Sequence, residues 1–245
     1  MKGWARHRTF GLRVEWMNLF LGYPDDWRAH GRLGSKQVVS LNEWLRTIGL
    51  RKRNGYDLSL LEAWRALGSE SLELWSLSWA NIASSWPTAR LYVLRNYTTP
   101  VTTSDMLSDF MGYVGNVAER TIYDGILELF GLLNHTPIGR SLGQGIISPG
   151  RPRSLFRAGN PTPPTVGLVQ SLVNLFGEQL GASIKLNQDQ LWPWVVFGCD
   201  KDYVISHVIT NKCDWIEITS DEIVCRDIDK GASHVMDLLG LHRAS

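Results

Sequence analysis

The chain has 245 residues, of which 44% are hydrophobic, and its 25 Lys and Arg face 24 Asp and Glu for a formal net charge of +1. That balance excludes a nonspecific polyanion coat, which needs a strong positive field, but leaves room for a local basic face. No run of about 20 apolar residues is available to span a bilayer, so no membrane partner is expected.

The basic opening MKGWARHRTF lacks the apolar stretch of a signal peptide. Cys199, Cys213 and Cys225 are isolated, giving neither paired metal ligands nor a disulfide framework, and a reducing cytoplasm is the expected setting. The eleven tryptophans mostly have apolar neighbours at helical spacing and read as core before binding platforms.

Residues 15–22 and 24–31 read as two short helical segments broken near Gly22-Tyr23-Pro24. The turn Arg32-Leu33-Gly34-Ser35 ends in an N-cap serine. From Ser35 to about Ile48, Val38, Leu41, Leu45 and Ile48 recur on one face with Trp44 beside them, and Gly49 closes the helix. Asn54-Gly55 predicts a hairpin with both residues in its turn. Helix, turn, helix and basic hairpin is the order of a winged helix-turn-helix.

Ser59 and Glu62 form a capping-box pattern for a helix carrying Leu61 and Trp64. Between Ser69 and Trp86, the stripe Leu72, Trp75, Trp79, Ile82 and Trp86 predicts helix–helix core rather than a cofactor pocket. Pro87 ends that helix, and another is expected over Thr88–Tyr97.

Residues 103–133 repeat the pattern of a short helix, a glycine-bounded turn at Gly112–Gly115 and a long helix. Asn116 and Glu119 are its expected cap, and Ile122, Ile126, Leu129 and Leu133 its buried side. His135–Gly139 stands where a second wing would.

Residues 140–164 are dense in Gly and Pro, with Arg140, Arg151, Arg153 and Arg157 spread through them, and read as a loop. Thr165–Gly181 is expected to be a helix with Val166, Val169, Val173, Phe176 and Leu180 inward. The period then changes to two in WVVF, YVISHVI and DWIEITSDEIVC, which predicts a small antiparallel sheet before a terminal helix over Ala232–Leu241.

The expected class is therefore mainly α, α+β overall, with winged helix-turn-helix modules ahead of a β-rich C-terminal region. The division is 1–100, a second helix-turn-helix-like module over 101–147, a basic linker over 148–164, and 165–245.

The first candidate recognition helix is expected to expose Ser35, Lys36, Gln37, Ser40 and Glu43, with Arg46 near its end; Lys, Gln and Ser are donors that reach base edges or phosphates. Its wing adds Arg51, Lys52 and Arg53, where each phosphate neutralised releases counterions. The second helix offers Arg120 and Tyr123, but Glu119 and Asp124 oppose phosphate. In SPGRPRSLFR, Arg151 and Arg153 are presented from a stiffened loop. The competing readings are a solvated helix face and a soluble linker.

An enzyme is not expected. The six histidines lack metal-ligand spacing, GQGIISPG lacks the Lys-Ser/Thr ending of a phosphate loop, and no Gly-x-Ser-x-Gly elbow occurs. Cys199-Asp200 with His207 reads as a buried structural cysteine. No catalytic residue, metal or cofactor is assigned.

Four stretches, in order, resemble a bacterial and archaeal family catalogued as domain of unknown function four thousand and seven. They are His7-Arg8-Thr9-Phe10 with Arg13 and Trp16; Leu33-Gly34-Ser35-Lys36-Gln37-Val38-Val39 through Trp44 to Gly49-Leu50; Leu72-Glu73-Leu74-Trp75 through Trp79; and Ser148-Pro149-Gly150-Arg151 followed by Leu155-Phe156. The likeness covers about residues 5–180. Arg8 stands where the family has an acid, and the segment after Lys185 has no counterpart.

The resemblance implies a cytoplasmic accessory role in prokaryotic defence, in DNA phosphorothioation-type or CRISPR-associated systems. It also implies partners such as duplex DNA or RNA and a phosphosulfate-reductase-like enzyme. The alternative is a scaffold that docks such an enzyme through helix 116–133 and the C-terminal sheet.

Overall fold

A computed structural model describes residues 3–31, 33–177, 183–187 and 189–241. Two short helices, α1 (Val14–Gly22) and α2 (Trp27–His30), lead into α3 (Ser35–Thr47). Helix α3 buries Leu41, Trp44 and Leu45, with Ile48 at its end, while Val38 is half-buried. Gly34, not Ser35, is its N-cap, and the Gly34 N–H donates to Gln37 Oε1 at 2.9 Å. Of the expected entry turn, Arg32 lies outside the described residues.

The hairpin follows as β1 (Arg51–Lys52) and β2 (Gly55–Tyr56). Its register pairs Lys52 with Gly55, so the tip is Arg53-Asn54 rather than Asn54-Gly55. Only Gly55 takes a positive φ, +134°, which glycine adopts without a Cβ penalty. Helix α4 (Leu58–Leu67) is capped by Asp57, whose Oδ1 accepts the Leu60 N–H at 3.0 Å; the Ser59–Glu62 box does not form.

The tryptophan stripe lies on α5 (Leu72–Ser85), where Trp75, Trp79 and Ile82 are fully buried with Trp86 at the C-cap. The indole N–H groups still find acceptors: Trp75 donates to Ser69 O, Trp79 to Val196 O and Trp86 to Trp4 O, all within 2.7–2.8 Å. Pro87 starts α6 (Pro87–Arg95), suited to a first helical position where no N–H is needed.

Next come β3 (Val101–Thr102), α7 (Thr103–Tyr113) and α8 (Glu119–His135). Thr102 and Asp105 cap α7 reciprocally, whereas α8 begins at Ala118 without a side-chain cap, so the expected Asn116–Glu119 box is absent.

The expected linker is instead a hairpin. Strands β4 (Ile146–Ser148) and β5 (Ser154–Phe156) join β3 in an antiparallel sheet of order β3-β5-β4. Its Pro and Gly mark the tip of that hairpin, and Leu155 and Arg157 are buried behind it. His135–Gly139 ends α8 in a turn and forms no wing.

Helix α9 (Thr165–Gly177) packs along α5, and Gly167 lets their backbones close on Ser76. Val166, Val169 and Phe176 are buried as expected and Val173 is half-buried; Leu180 lies outside the described residues. Strand β6 (Ser183–Lys185) follows.

Two runs expected as strands are helical. WVVF forms α10 (Pro193–Phe197), started by its proline, and YVISHVI forms α11 (Lys201–Val204) running through a π-helical turn, Ile205–Ile209, into α12 (Thr210–Lys212). Asp200 caps α11 by accepting the Tyr203 N–H at 2.8 Å, and burial of Val204, Val208 and Ile209 overrides their β preference.

Only DWIEITSDEIVC pairs as expected, giving β7 (Ile216–Ile218) and β8 (Glu222–Cys225) in the order β6-β8-β7. Helix α13 (Ile228–Leu238), capped by Asp227, packs against α9. One connected apolar core runs from Trp4 to Leu239, and every tryptophan but Trp194 is buried in it. The class is α+β with small antiparallel sheets.

Candidate nucleic-acid interface

On the solvent side of α3, Ser35, Lys36 and Arg46 are exposed, as is Val39. Ser40 is a correction: it is fully buried and its hydroxyl is turned to Phe10 O, because it sits on the same side as Trp44, which donates to that carbonyl at 2.8 Å. Gln37 is half-buried and occupied in capping.

Asn42 organises the cations around the helix. Its Nδ2 donates to Val38 O at 3.0 Å, which turns Oδ1 outward. That oxygen accepts Arg28 Nη2 from α2 at 3.2 Å and Arg51 Nη1 from β1. The two guanidinium groups also lie over aromatic rings, Arg28 over Trp27 at 5.4 Å and Arg51 over Tyr56 at 5.9 Å. Arg28 and Arg51 form no ion pair with a carboxylate among the described residues.

The other cations divide into two sets. Arg46 pairs with Glu43, and Lys52 with Asp57 at 2.7 Å. Burial pushes the Asp57 carboxyl pKa up, but Lys52 and the backbone N–H groups of Leu60 and Ser59 outweigh it, leaving the value below the usual range. Lys36 and Arg53 are exposed without an ion pair among the described residues. The arrangement therefore offers Arg28, Lys36, Arg51 and Arg53 to an anion without a neutralising acid.

The remaining predicted contacts belong to a second unit. Arg120 is exposed at the start of α8 but pairs with Asp124 at 3.1 Å, and Arg151 and Arg153 are exposed at the β4–β5 tip with no ion pair among the described residues. The structure thus groups the α3 and β1 residues and places these three on another helix–hairpin element.

A buried polar network fixes α3 to α8. The His7 ring stacks on Trp44 with centroids 3.6 Å apart, and its Nε2 lies 3.0 Å from Thr47 Oγ1. Thr47 donates its own hydrogen to Glu43 O at 2.8 Å, so Nε2 is the protonated nitrogen and Nδ1 must accept. Nδ1 faces Glu128 Oε2 at 3.0 Å, while Oε1 accepts the His7 and Thr9 N–H groups at 2.9 and 3.0 Å. Burial lifts the Glu128 pKa to about 7, and burial and then Arg6 hold His7 well below its ordinary value. A protonated carboxyl donating to a neutral imidazole satisfies both directions.

Arg157, also fully buried, closes the other end of the helical layer. It donates to Gln144 Oε1 from Nε and Nη2, to Val195 and Val196 O from Nη2, and to Val93 O and Asn96 Oδ1 from Nη1. The Val93, Val195 and Val196 carbonyls lie near the C-terminal ends of α6 and α10, where orphan acceptors and the negative helix pole favour a cation.

Cys199 is held as a thiol, its pKa pushed up to about 11 by burial, and His207 engages Ser206 and Tyr203 rather than Cys199. No three His, Cys, Asp or Glu side chains are grouped to hold a metal among the described residues.

Sequence reading missed Arg28 and Asn42. Asn42 looked like one more polar helix position, and nothing local joins it to an arginine on a four-residue helix.

Comparison with protein-family models and with curated proteins finds no match. Two solved structures share the fold. An SspB crystal structure superposes with a TM-score of 0.72 at 14% identity, covering 100% of this chain and 90% of that one. A magnesium ion-bound SspB crystal structure gives 0.70 at 15% identity with the same coverage.

Proposed function

We propose that the chain binds nucleic acid, duplex DNA foremost, through a winged helix-turn-helix built from α1–α3 and the β1–β2 hairpin. The observation that carries this reading is the Arg28–Asn42–Arg51 junction. Like charges gathered on one amide oxygen repel, and an incoming phosphate relieves that repulsion. Exposed Lys36 on the same helix and Arg53 at the tip of the same hairpin add two further cations. The four sequence motifs above support placing this activity in a prokaryotic defence system as a cytoplasmic accessory subunit.

The reading assigns the chain no catalytic step. The scaffold reading through helix 116–133 and the C-terminal sheet has weaker support, because the apolar side of α8, from Ile122 to Leu133, is already buried within its own chain.

A salt titration of duplex binding with wild type and Lys36→Ala/Arg53→Ala tests the proposal. Loss of two phosphate contacts lowers the slope of log K against log salt by about 2. An unchanged slope rejects the interface.

A further inference from the structure

The second helix–hairpin unit has its own architecture. In chain order it runs α6, β3, α7, α8, β4, β5, with the first strand paired to the last and the hairpin partner outermost. Helices α6 and α7 and strand β4 all pack on α8. Helix, strand, two helices and a returning hairpin with this strand order is the arrangement of a winged helix, here with residues 149–153 as the wing.

The helix of that unit is unable to lie in a groove. The N-terminal segment crosses α8 so closely that a Cβ on Gly11 would collide with the backbone of Gly131 and Leu132, and one on Gly125 would stand 2.7 Å from Trp4 O. Glu128, between these crossings, is consumed by His7 and Thr9. The fully exposed residues of α8 lie at its ends, Glu119 and Arg120 in the first turn and Asn134 in the last, and Arg120 is paired with Asp124.

The wing is open by contrast. Arg151 and Arg153 are exposed and unpaired among the described residues. Arg153 and Arg13, the residue before α1, both act electrostatically on His135 at the end of α8, with Glu15 as the opposing acid. Arg13 Nε is buried without a hydrogen-bond partner. Burial and then the arginines push the His135 pKa down, so at neutral pH it serves as an uncharged hydrogen-bonding group rather than a cation.

We propose that the β4–β5 wing is a second nucleic-acid contact that grips the sugar–phosphate backbone through Arg151 and Arg153 and reads no bases. The proposal rests on the nucleic-acid reading above and adds where the second contact lies and how it works. A wing without its recognition helix holds phosphates and supplies affinity that depends on salt but not on sequence.

The test compares full-length wild type, Arg151→Ala/Arg153→Ala and Lys36→Ala/Arg53→Ala on short AT-rich and GC-rich duplexes by fluorescence anisotropy across salt. Both pairs of side chains are exposed, and a thermal melt confirms that each variant folds. The expected result is a slope lowered by about 2 for the wing variant, equally on both duplexes. An unchanged slope for the wing variant alongside a lowered one for the α3 variant overturns this inference and leaves the main interface standing. A wing variant that changes the preference between duplexes overturns the backbone-only mode. A wild type that shows no salt-dependent binding overturns both readings.

Discussion

His7 Nδ1 lies 3.0 Å from Glu128 Oε2 in a site closed to solvent, and the pair holds one proton between an imidazole and a carboxyl. The segment before α1 is thereby pinned to α8 and, through Thr47 and Trp44, to α3. Arg8 and Thr9 accept left-handed φ values of +56° and +68° to deliver the two N–H groups to the carboxylate.

Glu128→Gln reproduces the protonated carboxyl, with an amide N–H for Nδ1 and an oxygen for the backbone donors. The folded Glu128 pKa, about 7, is raised above its ordinary 4.5. Its contribution to stability is therefore full below the unfolded value and is lost as pH rises through about 7. His7 has the opposite sense: its contribution is present above 6.5 and is lost as pH falls through its depressed folded value. The melting temperature of Glu128→Gln relative to wild type should climb between pH 5 and pH 8, as about one proton is released. A difference constant with pH contradicts the shared proton. Glu128→Ala, which strands the His7 and Thr9 N–H groups, should lose about 2–4 kcal/mol in urea unfolding.

Arg157 is desolvated enough for its pKa to be pushed down to about 10, yet it carries a full set of carbonyl and amide acceptors. Arg157→Met removes the cation and leaves buried carbonyls from two helix ends unsatisfied. The expected loss is about 3 kcal/mol or more, and Arg157→Lys should recover little because an ammonium lacks the planar fork. An unfolding free energy in urea lowered by less than about 1 kcal/mol in either variant contradicts this role.

The closeness of Gly11 to α8 predicts that Gly11→Ala is tolerated poorly although only one methyl is added. Displacing two backbones is expected to cost about 1–3 kcal/mol and to expose the N-terminal segment to protease. Wild-type resistance to limited proteolysis in this variant counts against the close packing of the N-terminal segment on α8.

Much of the helical layer was legible because its signals are local. Trp75, Trp79, Ile82 and Trp86 of the α5 stripe and the apolar faces of α3, α8 and α9 repeat at the helical period and are buried or half-buried where that period puts them. Leu72, expected at the head of the stripe, is instead exposed on the first turn of α5. The failures share a cause in contacts distant in sequence. The three-residue strands β4 and β5 are too short for an alternating pattern, and they exist because β3, far back in the chain, pairs with β5. WVVF and YVISHVI are helical because Pro193 and Asp200 start helices that burial then holds. At the proposed interface, the cations of the hairpin were visible as a run, while Asn42 and Arg28 meet only when α2 folds beside α3. Ser40 was misplaced because exposure on α3 was assigned by residue polarity, not by the direction of Trp44.

Asn42→Asp examines the proposed interface most directly, since it inserts a carboxylate between Arg28 and Arg51 while removing no cation. Duplex binding should weaken by about tenfold at low salt and show a slope reduced by about 2, while the protein stays folded, because pairing of the new acid with both arginines offsets the lost hydrogen bond to Val38 O. Unaltered affinity and salt dependence in a folded Asn42→Asp protein would contradict the claim that this junction receives phosphate.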